Sequence, residues 1–462
     1  MNVQIVLVGS LSEIPKSYRN ENIFLFGKTL FVHKENEAYL YLGTKKDRIT
    51  REDIRYLGGH TRRQINKWNV EEVNMDFQSL LKLAKEMNEK EVVTCFLEGW
   101  YLAGYNFNKY KQKNVNKQMS QLKMKGESYD TCNDMAIIRS RAINTARDFC
   151  NEPANKLTPE IYVKRLKEMF EDTKVEVEII DINGLEDAGF HAVHVVGKGS
   201  SRSPYVAILR LNNGAGDPIA LVGKGVTFDS GGTNVKTGRD IGEMKMDMGG
   251  AAAVTGAIQL LSDLDYKGNL LAVIPLVVNV AGEEAYLPSD VITYRNGLTV
   301  EVGNTDAEGR LILADAILYS TAAKAKYIID IATLTGSIGH ALGLKKAGIF
   351  CDDEDRLWEL KEIGARSGDY VWPMPLVEDY QSLLKSDTAD LNNMSASIYG
   401  GAITAAMFLK NFVSDDCRWI HIDMANTVRP WKEECYYTAG ASGFGVRLLA
   451  ELVQCERISD VN

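Results

Sequence analysis

Five runs beyond residue 200 are apolar at nearly every position: VAILRL (206–211), IALVG (219–223), LLAVIPLVVNV (270–280), YIIDIATL (327–334) and WIHIDMA (419–425). A strand with one face in water alternates apolar and polar residues; apart from the IHID of WIHIDMA these runs do not, so both of their faces must be covered. Helical patterns lie between them, GGAAAVTGAIQLLSDL (249–264) and GRLILADAILYSTAAKA (309–325). Strands buried on both faces and spaced by helices predict a mostly parallel central sheet covered by helices. Chemistry in such a sheet sits beyond the carboxyl ends of the strands.

The same α/β alternation runs through the earlier part of the chain. VQIVLVG (3–9), NIFLFGK (22–28) and AYLYLG (38–43) read as strands, and FQSLLKLAKEMN (77–88) and EVVTCFLEGWYLAGYNF (91–107) as helices. A polar stretch, NKYKQKNVNKQ (108–118), precedes a long helical pattern at 130–150, which NEPANKLTP stops with two prolines. The expected fold is α/β: a smaller N-terminal α/β domain (1–129), a linker helix (130–150) and a larger C-terminal domain (151–462) with a mostly parallel sheet. A chain of 462 residues suffices for two cores at roughly 100–200 residues per domain.

Charge and cysteine usage narrow the class. A net charge of −9 with no Lys/Arg-dense stretch leaves no surface for neutralising a nucleic-acid backbone or an anionic membrane. The opening MNVQIVLVGSLSEIPKS reads as a first strand rather than a signal peptide, and no run reaches the ~18 apolar residues of a membrane span. The seven cysteines are scattered with no C-x-x-C pair, as in a reduced, cytoplasmic protein.

The polar outliers collect where the apolar strands end. IALVGKGVTFDSGGTNVK runs from a buried strand into Lys224, Asp229 and Lys236, and EMKMDMGGAA places Asp247 before a small-residue helix start. Taken singly, Asp247 is an N-cap and the lysines are solvated. VGNTDAEGRL (302–311) adds Asp306 and Glu308, which project to one side of an extended segment but diverge by about 200° in a helix. Capping accounts for one acid at a helix start, not for four acids at strand–loop junctions. Four converging acids repel each other unless cations neutralise them, and metal ions are the natural cations.

None of the six histidines falls in a ligand spacing such as H-E-x-x-H; His191 and His194 read as part of a strand and its entry. A carboxylate-rich site with one amine suits a pair of Zn²⁺ or Mn²⁺ ions that activate water and clamp a carbonyl.

The motifs NTDAEGRL, VGKGVTFDSGG, MDMGGAA, NEPANKLTP, ATLTG, GGAITAAMFLKNFV and GASGFGVR resemble the cytosolic leucyl aminopeptidase family of two-metal exopeptidases. The resemblance covers about residues 130–462, with YNFNKYK the clearest match before that. It implies metal ligands at Lys224, Asp229, Asp247, Asp306 and Glu308, with Asp229 and Glu308 bridging both ions, and non-ligand catalytic residues at Lys236 and Arg310. It also implies a substrate pocket at Met244, Thr333, Leu334 and Gly336, and a bicarbonate general base held at Gly309, Arg310 and Leu311. The implied substrates are short peptides with a free N-terminus, leucine and other apolar residues foremost; the implied assembly is a homo-hexamer. The ligand set accepts Zn²⁺, Mn²⁺ or Co²⁺. Thr233 and Asn234 depart from the family's usual aliphatic residue and serine without removing a ligand.

Two rival classes stay in view. A scaffold that kept the fold and lost the activity would be expected to lack ligands, and none is missing. A two-metal phosphohydrolase needs a phosphate-cradling loop, which TFDSGG is not, and a basic cluster beyond Lys236 and Arg310.

Overall fold

The computed structural model describes residues 2–19, 23–34, 37–68, 70–112, 120–125, 129–237 and 241–459. The polar stretch at 108–118 lies outside the described residues from position 113 onward. By contacts the chain forms two compact units, 1–144 with 432–439, and 145–431 with 440–462.

The first unit contains β1 (Asn2–Val8), β2 (Thr29–Lys34), β3 (Glu37–Gly43), α1 (Arg51–Ile65), β4 (Glu72–Asp76), α2 (Phe77–Leu81), α3 (Glu89–Leu102) and β5 (Gln121–Lys125), then most of α4 (Asp130–Asn151). Its five-stranded sheet has the order β2-β3-β1-β4-β5, parallel except for β2 against β3. Helix α1 starts where Thr50 and Asp53 cap each other's backbone N–H groups, a capping box that fixes the first turn. Three local expectations are corrected here. From Ile23 on, NIFLFGK forms turns with a single bridge, Leu25 to Lys45, rather than a strand. FQSLLKLAKEMN is helical only to Leu81, and α3 stops at Leu102 rather than 107. Asn88 caps α3 by accepting from Glu91 N, so the second helix opens at Glu89.

Residues 432–439 group with this unit although the sequence reads 151–462 as uninterrupted. The Tyr436 hydroxyl donates to Glu52, and Arg63 Nη1 donates to the Glu433 carbonyl at 2.8 Å.

The second unit contains α5 (Pro159–Phe170), β6 (Val175–Ile180), α6 (His191–Gly197), β7 (Tyr205–Asn212), β8 (Ile219–Gly223), β9 (Gly225–Gly232), α7 (Gly249–Asp263) and β10 (Asn269–Val280). There follow β11 (Val291–Thr293), β12 (Thr299–Glu301), α8 (Glu308–Ala322), β13 (Tyr327–Ala332), α9 (Gly336–Leu342), β14 (Ala347–Cys351) and α10 (Glu354–Ser367). β15 (Val371–Pro373), β16 (Leu391–Asn392), α11 (Gly401–Lys410), β17 (Arg418–Asp423) and α12 (Val446–Ser459) complete it. The nine-stranded sheet runs β15-β14-β17-β13-β8-β10-β7-β6, with β9 also on β10. Its centre, β17-β13-β8-β10-β9, is parallel throughout. All five continuous apolar runs are strands of this sheet, and the interior positions of β10 are all buried. Each such aliphatic side chain contributes roughly 1.5–3 kcal/mol when fully buried.

FHAVHVVG forms helix α6, not a strand. Asp315 on α8 accepts from Val193 N at 2.9 Å, satisfying a free donor of the first turn. The seven cysteines are free and six of them are buried. Among the described residues no helix is long and apolar enough to cross a membrane.

One polar cluster interrupts the core. Asp330 and His421 pair across β13 and β17, His421 Nδ1 lying 2.5 Å from Asp330 Oδ1, while Trp419 Nε1 donates to Asp330 Oδ2 at 2.7 Å. Burial lowers the His421 pKa, but the charge of Asp330 and its hydrogen bond outweigh burial and hold it above the ordinary histidine value. The folded chain therefore binds this proton more tightly than the unfolded chain. The resulting stabilisation is complete below the unfolded pKa of about 6.5 and is lost as pH rises through the folded value. Urea denaturation should find less stability at pH 9 than at pH 6, and His421→Gln should flatten that difference. An equal slope in the variant would show that other groups carry it.

Candidate functional site

The parallel strands bring their carboxyl ends to one side, and the acids that the sequence scatters meet there. Lys224 follows β8 directly, Asp229 lies in β9, Asp247 precedes α7, and Asp306 and Glu308 flank the start of α8. Lys224 Nζ lies 2.8 Å from Asp247 Oδ2 and 3.0 Å from Glu308 Oε1, and donates to the Thr333 carbonyl at 2.8 Å. Lys236 Nζ lies 2.7 Å from Asp229 Oδ2 and also pairs with Asp306. Carboxylate oxygens of Asp229, Asp306 and Glu308 fall within 4.8 Å of one another, a grouping able to hold a metal ion.

Capping does not explain these acids. The residue at the cap position of α7 is Met248 and that of α8 is Ala307, neither with a side-chain cap. The segment ahead of α8 is non-helical up to Ala307, but Glu308 is itself the first helical residue, so the two acids meet at the junction of loop and helix rather than on one extended segment.

The backbone is shaped around the cluster. Gly231, with φ of +93°, turns β9 in a conformation that side chains disfavour, and its N–H donates to Asp229 Oδ1 at 2.9 Å. A Cβ on Gly309 would lie 2.7 Å from Lys224 Cε, so only glycine lets the lysine lie against the first turn of α8. Asn234, one of the two departures from the family pattern, accepts from Thr305 N at 2.9 Å while its own N–H donates to Thr305 Oγ1 at 2.8 Å. It thereby fixes the loop carrying Lys236 to the one carrying Asp306.

Burial sets the electrostatics. It pushes Glu308 up to about 8, with Asp229 the next cause, and Asp247 up to about 6, with Lys224 opposing. Asp306 is also raised, first by burial. Burial lowers both lysines, but Asp247, Glu308 and Asp229 around Lys224, and Asp229 and Glu308 around Lys236, outweigh it and hold both well above the ordinary range. Two ammoniums against four carboxylates leave the cluster short of positive charge. The donor set, oxygen-rich with one amine, therefore fits divalent ions.

A cavity of about 380 Å³ opens on this cluster. Lys224, Asp229, Lys236, Asp247, Asp306 and Glu308 line one part, and Met244, Thr333, Leu334 and Gly336 line it as well. Gly309, Arg310 and Leu311 are not among its lining residues. The Leu311 side chain is in the core; Arg310 is buried with Nε unpartnered among the described residues, and burial lowers its pKa to about 10 against the charges of Glu308 and Asp423. His191 and His194 are outside the acid grouping; they meet the Thr293 carbonyl and Glu186.

Sequence reasoning missed Asn279 and the cavity residues Met246, His340, Ala425 and Val428. Asn279, fully buried in β10, donates to Asp229 Oδ1 at 2.8 Å, to the Thr305 carbonyl at 2.9 Å and to Glu308 Oε2 at 3.5 Å. Apart from Asn269 at its first position, Asn279 is the one amide in an apolar strand, and that was its readable signal.

Comparison with known proteins places this geometry in a family. The catalytic-domain description of the cytosol aminopeptidase family matches residues 144–450, and its N-terminal-domain description matches 40–114. A probable cytosol aminopeptidase of Phytoplasma australiense is 38% identical over 418 residues, 89% of this chain and 83% of that protein. One from Clostridium perfringens is 37% identical over 442 residues, covering 93% and 88%. Among solved structures, the bottromycin maturation enzyme BotP superposes with a TM-score of 0.88 at 28% identity, covering 98% of this chain and 99% of that one. A second BotP structure, in complex with Mn, gives 0.87 at 26%, with the same coverage. The chain belongs to the cytosol aminopeptidase family of metal-dependent exopeptidases, and its reaction is hydrolysis of peptides from the amino end.

Proposed function

We propose that this chain removes the N-terminal residue, leucine and other apolar residues foremost, from short peptides at a two-metal centre. The carrying observation is the convergence of Lys224, Asp229, Asp247, Asp306 and Glu308 on one cavity whose other walls are largely apolar. In this reading Lys224, Asp229, Asp247, Asp306 and Glu308 would hold two ions, with Asp229 and Glu308 contributing to both, Lys224 and Asp247 to one and Asp306 to the other. Zn²⁺, Mn²⁺ and Co²⁺ all suit these ligands, and the Mn complex of BotP supports manganese. When bound, such ions supply Lewis acidity and bring the pKa of water towards about 7.

The chain's own residues do the rest. Lys224 must lose a proton to serve as a ligand, and its contacts with Asp247 and Glu308 mark where cations would replace that proton. Lys236, held by Asp229 and Asp306, is placed to donate a hydrogen bond to the oxyanion of the tetrahedral intermediate, a contribution of roughly 3 kcal/mol. Met244, Thr333, Leu334 and Gly336 form the pocket for the N-terminal side chain. Arg310 and the free N–H groups at the start of α8, with Gly309 and Leu311, offer an anion site for a bicarbonate general base. The buried Nε of Arg310, without a partner among the described residues, supports that site. The family resemblance supports a homo-hexamer in the cytoplasm, and the exposed Ile398 and Tyr399 supply apolar surface for subunit contacts.

Leucine p-nitroanilide should be hydrolysed, its N-acetylated form should not, and p-nitrophenyl phosphate should be inert. Cleavage of the blocked amide at a comparable rate would remove the exopeptidase reading; phosphate ester hydrolysis alone would favour the rival class.

A further inference from the structure

We infer that Asp423 is a positioning residue that holds two cavity-lining segments together and so sets which N-terminal side chains the cavity accepts. Asp423 is the last residue of β17 and is fully buried. Its Oδ1 accepts from Leu334 N, Thr335 N and Ala425 N, each at 3.3 Å, and its Oδ2 accepts from Thr335 Oγ1 at 2.6 Å. Leu334 and Thr335 belong to one lining segment and Ala425 to the other. One carboxylate thus ties both to the end of a central strand.

The tie is directional. Thr335 Oγ1 also accepts from Ile338 N at 3.2 Å as the cap of α9, so its single hydrogen is committed to Asp423. The neighbouring Thr333 donates to Asp247 Oδ1 at 2.8 Å and its carbonyl accepts from Lys224 at 2.8 Å. A shift of the 333–335 segment would therefore alter the pocket wall first and the acid cluster only through Thr333. Asparagine at 423 keeps an acceptor for the backbone N–H groups but turns an amide NH₂ towards the Thr335 hydroxyl, leaving that hydrogen without an acceptor.

The inference rests on the reading of the cavity as the site for the N-terminal side chain. Its test is the ratio of kcat/KM for leucine p-nitroanilide to that for alanine p-nitroanilide. Asp423→Asn and Thr335→Val should each lower this ratio on the order of tenfold, the effect of a misfitted hydrophobic pocket. KM for the leucyl substrate should rise and metal content should stay unchanged, while Thr335→Ser should restore the ratio. A role in folding alone lowers the active fraction and scales both substrates equally; that result, or an unchanged ratio, overturns the inference. If Asp423→Asn does not fold, Thr335→Val against Thr335→Ser decides. Wild-type protein that hydrolyses neither amide overturns the underlying cavity reading, and this inference with it.

Discussion

Glu308→Ala is expected to abolish peptide hydrolysis while leaving the chain folded. Glu308 opens α8, is almost wholly buried, touches Lys224 and lies within the grouping formed with Asp229 and Asp306. As a proposed bridge between two ions it has no substitute nearby, since each remaining acid is already engaged. Losing several kcal/mol of transition-state stabilisation corresponds to a fall in kcat/KM of at least roughly 10³-fold. The fold should tolerate the change, because burial and then Asp229 push Glu308 up to about 8, so its charge is a cost to the metal-free protein rather than a support. Kinetics, bound-metal analysis and a thermal melt on the same preparation check this. Wild-type activity, or loss of activity only through unfolding, would contradict it.

Arg310→Ala should lower kcat by roughly 10²–10⁴, the usual worth of general acid–base catalysis, with little change in metal content. The nearby acids are assigned as ligands, and the cavity's one histidine, His340, is not among the family-matched residues. Arg310 instead carries a buried guanidinium whose Nε has no partner among the described residues, at a helix start where N–H groups favour an anion. Burial lowers the Arg310 pKa only to about 10, so it stays cationic at neutral pH. Bicarbonate added to carbonate-depleted enzyme should speed the wild type far more than the variant. Equal responses, or an unchanged kcat, would return Arg310 to a structural role at the start of α8.

The doubly apolar strands were legible because burial on both faces leaves a continuous apolar run, a signal independent of long-range contacts. The site acids were legible because charged residues at the ends of such runs need a reason to be there. Less legible was α6: AVHVV reads as β-branched strand, and only Asp315, more than a hundred residues away, satisfies its first turn. NIFLFGK failed for a related reason, since strand pairing is decided by partners, not by composition. Helix α1 went unread because its charges and paired glycines hide the apolar face, although Thr50 and Asp53 announce its start. Asp423 carried no such signal as Asn279 did, and the partners of both are met only once β8, β10, β13 and β17 lie side by side.

Five converging side chains that hold two catalytic metal ions should reveal themselves in a metal titration. Exhaustively chelated protein should be inactive towards leucine p-nitroanilide, and activity should return with added Mn²⁺ or Zn²⁺ as binding approaches two ions per chain. In Glu308→Ala the same titration should restore neither binding at both sites nor turnover. Full activity in the chelated protein, or activity saturating with no ion bound at this cluster, would rule out a two-metal centre here.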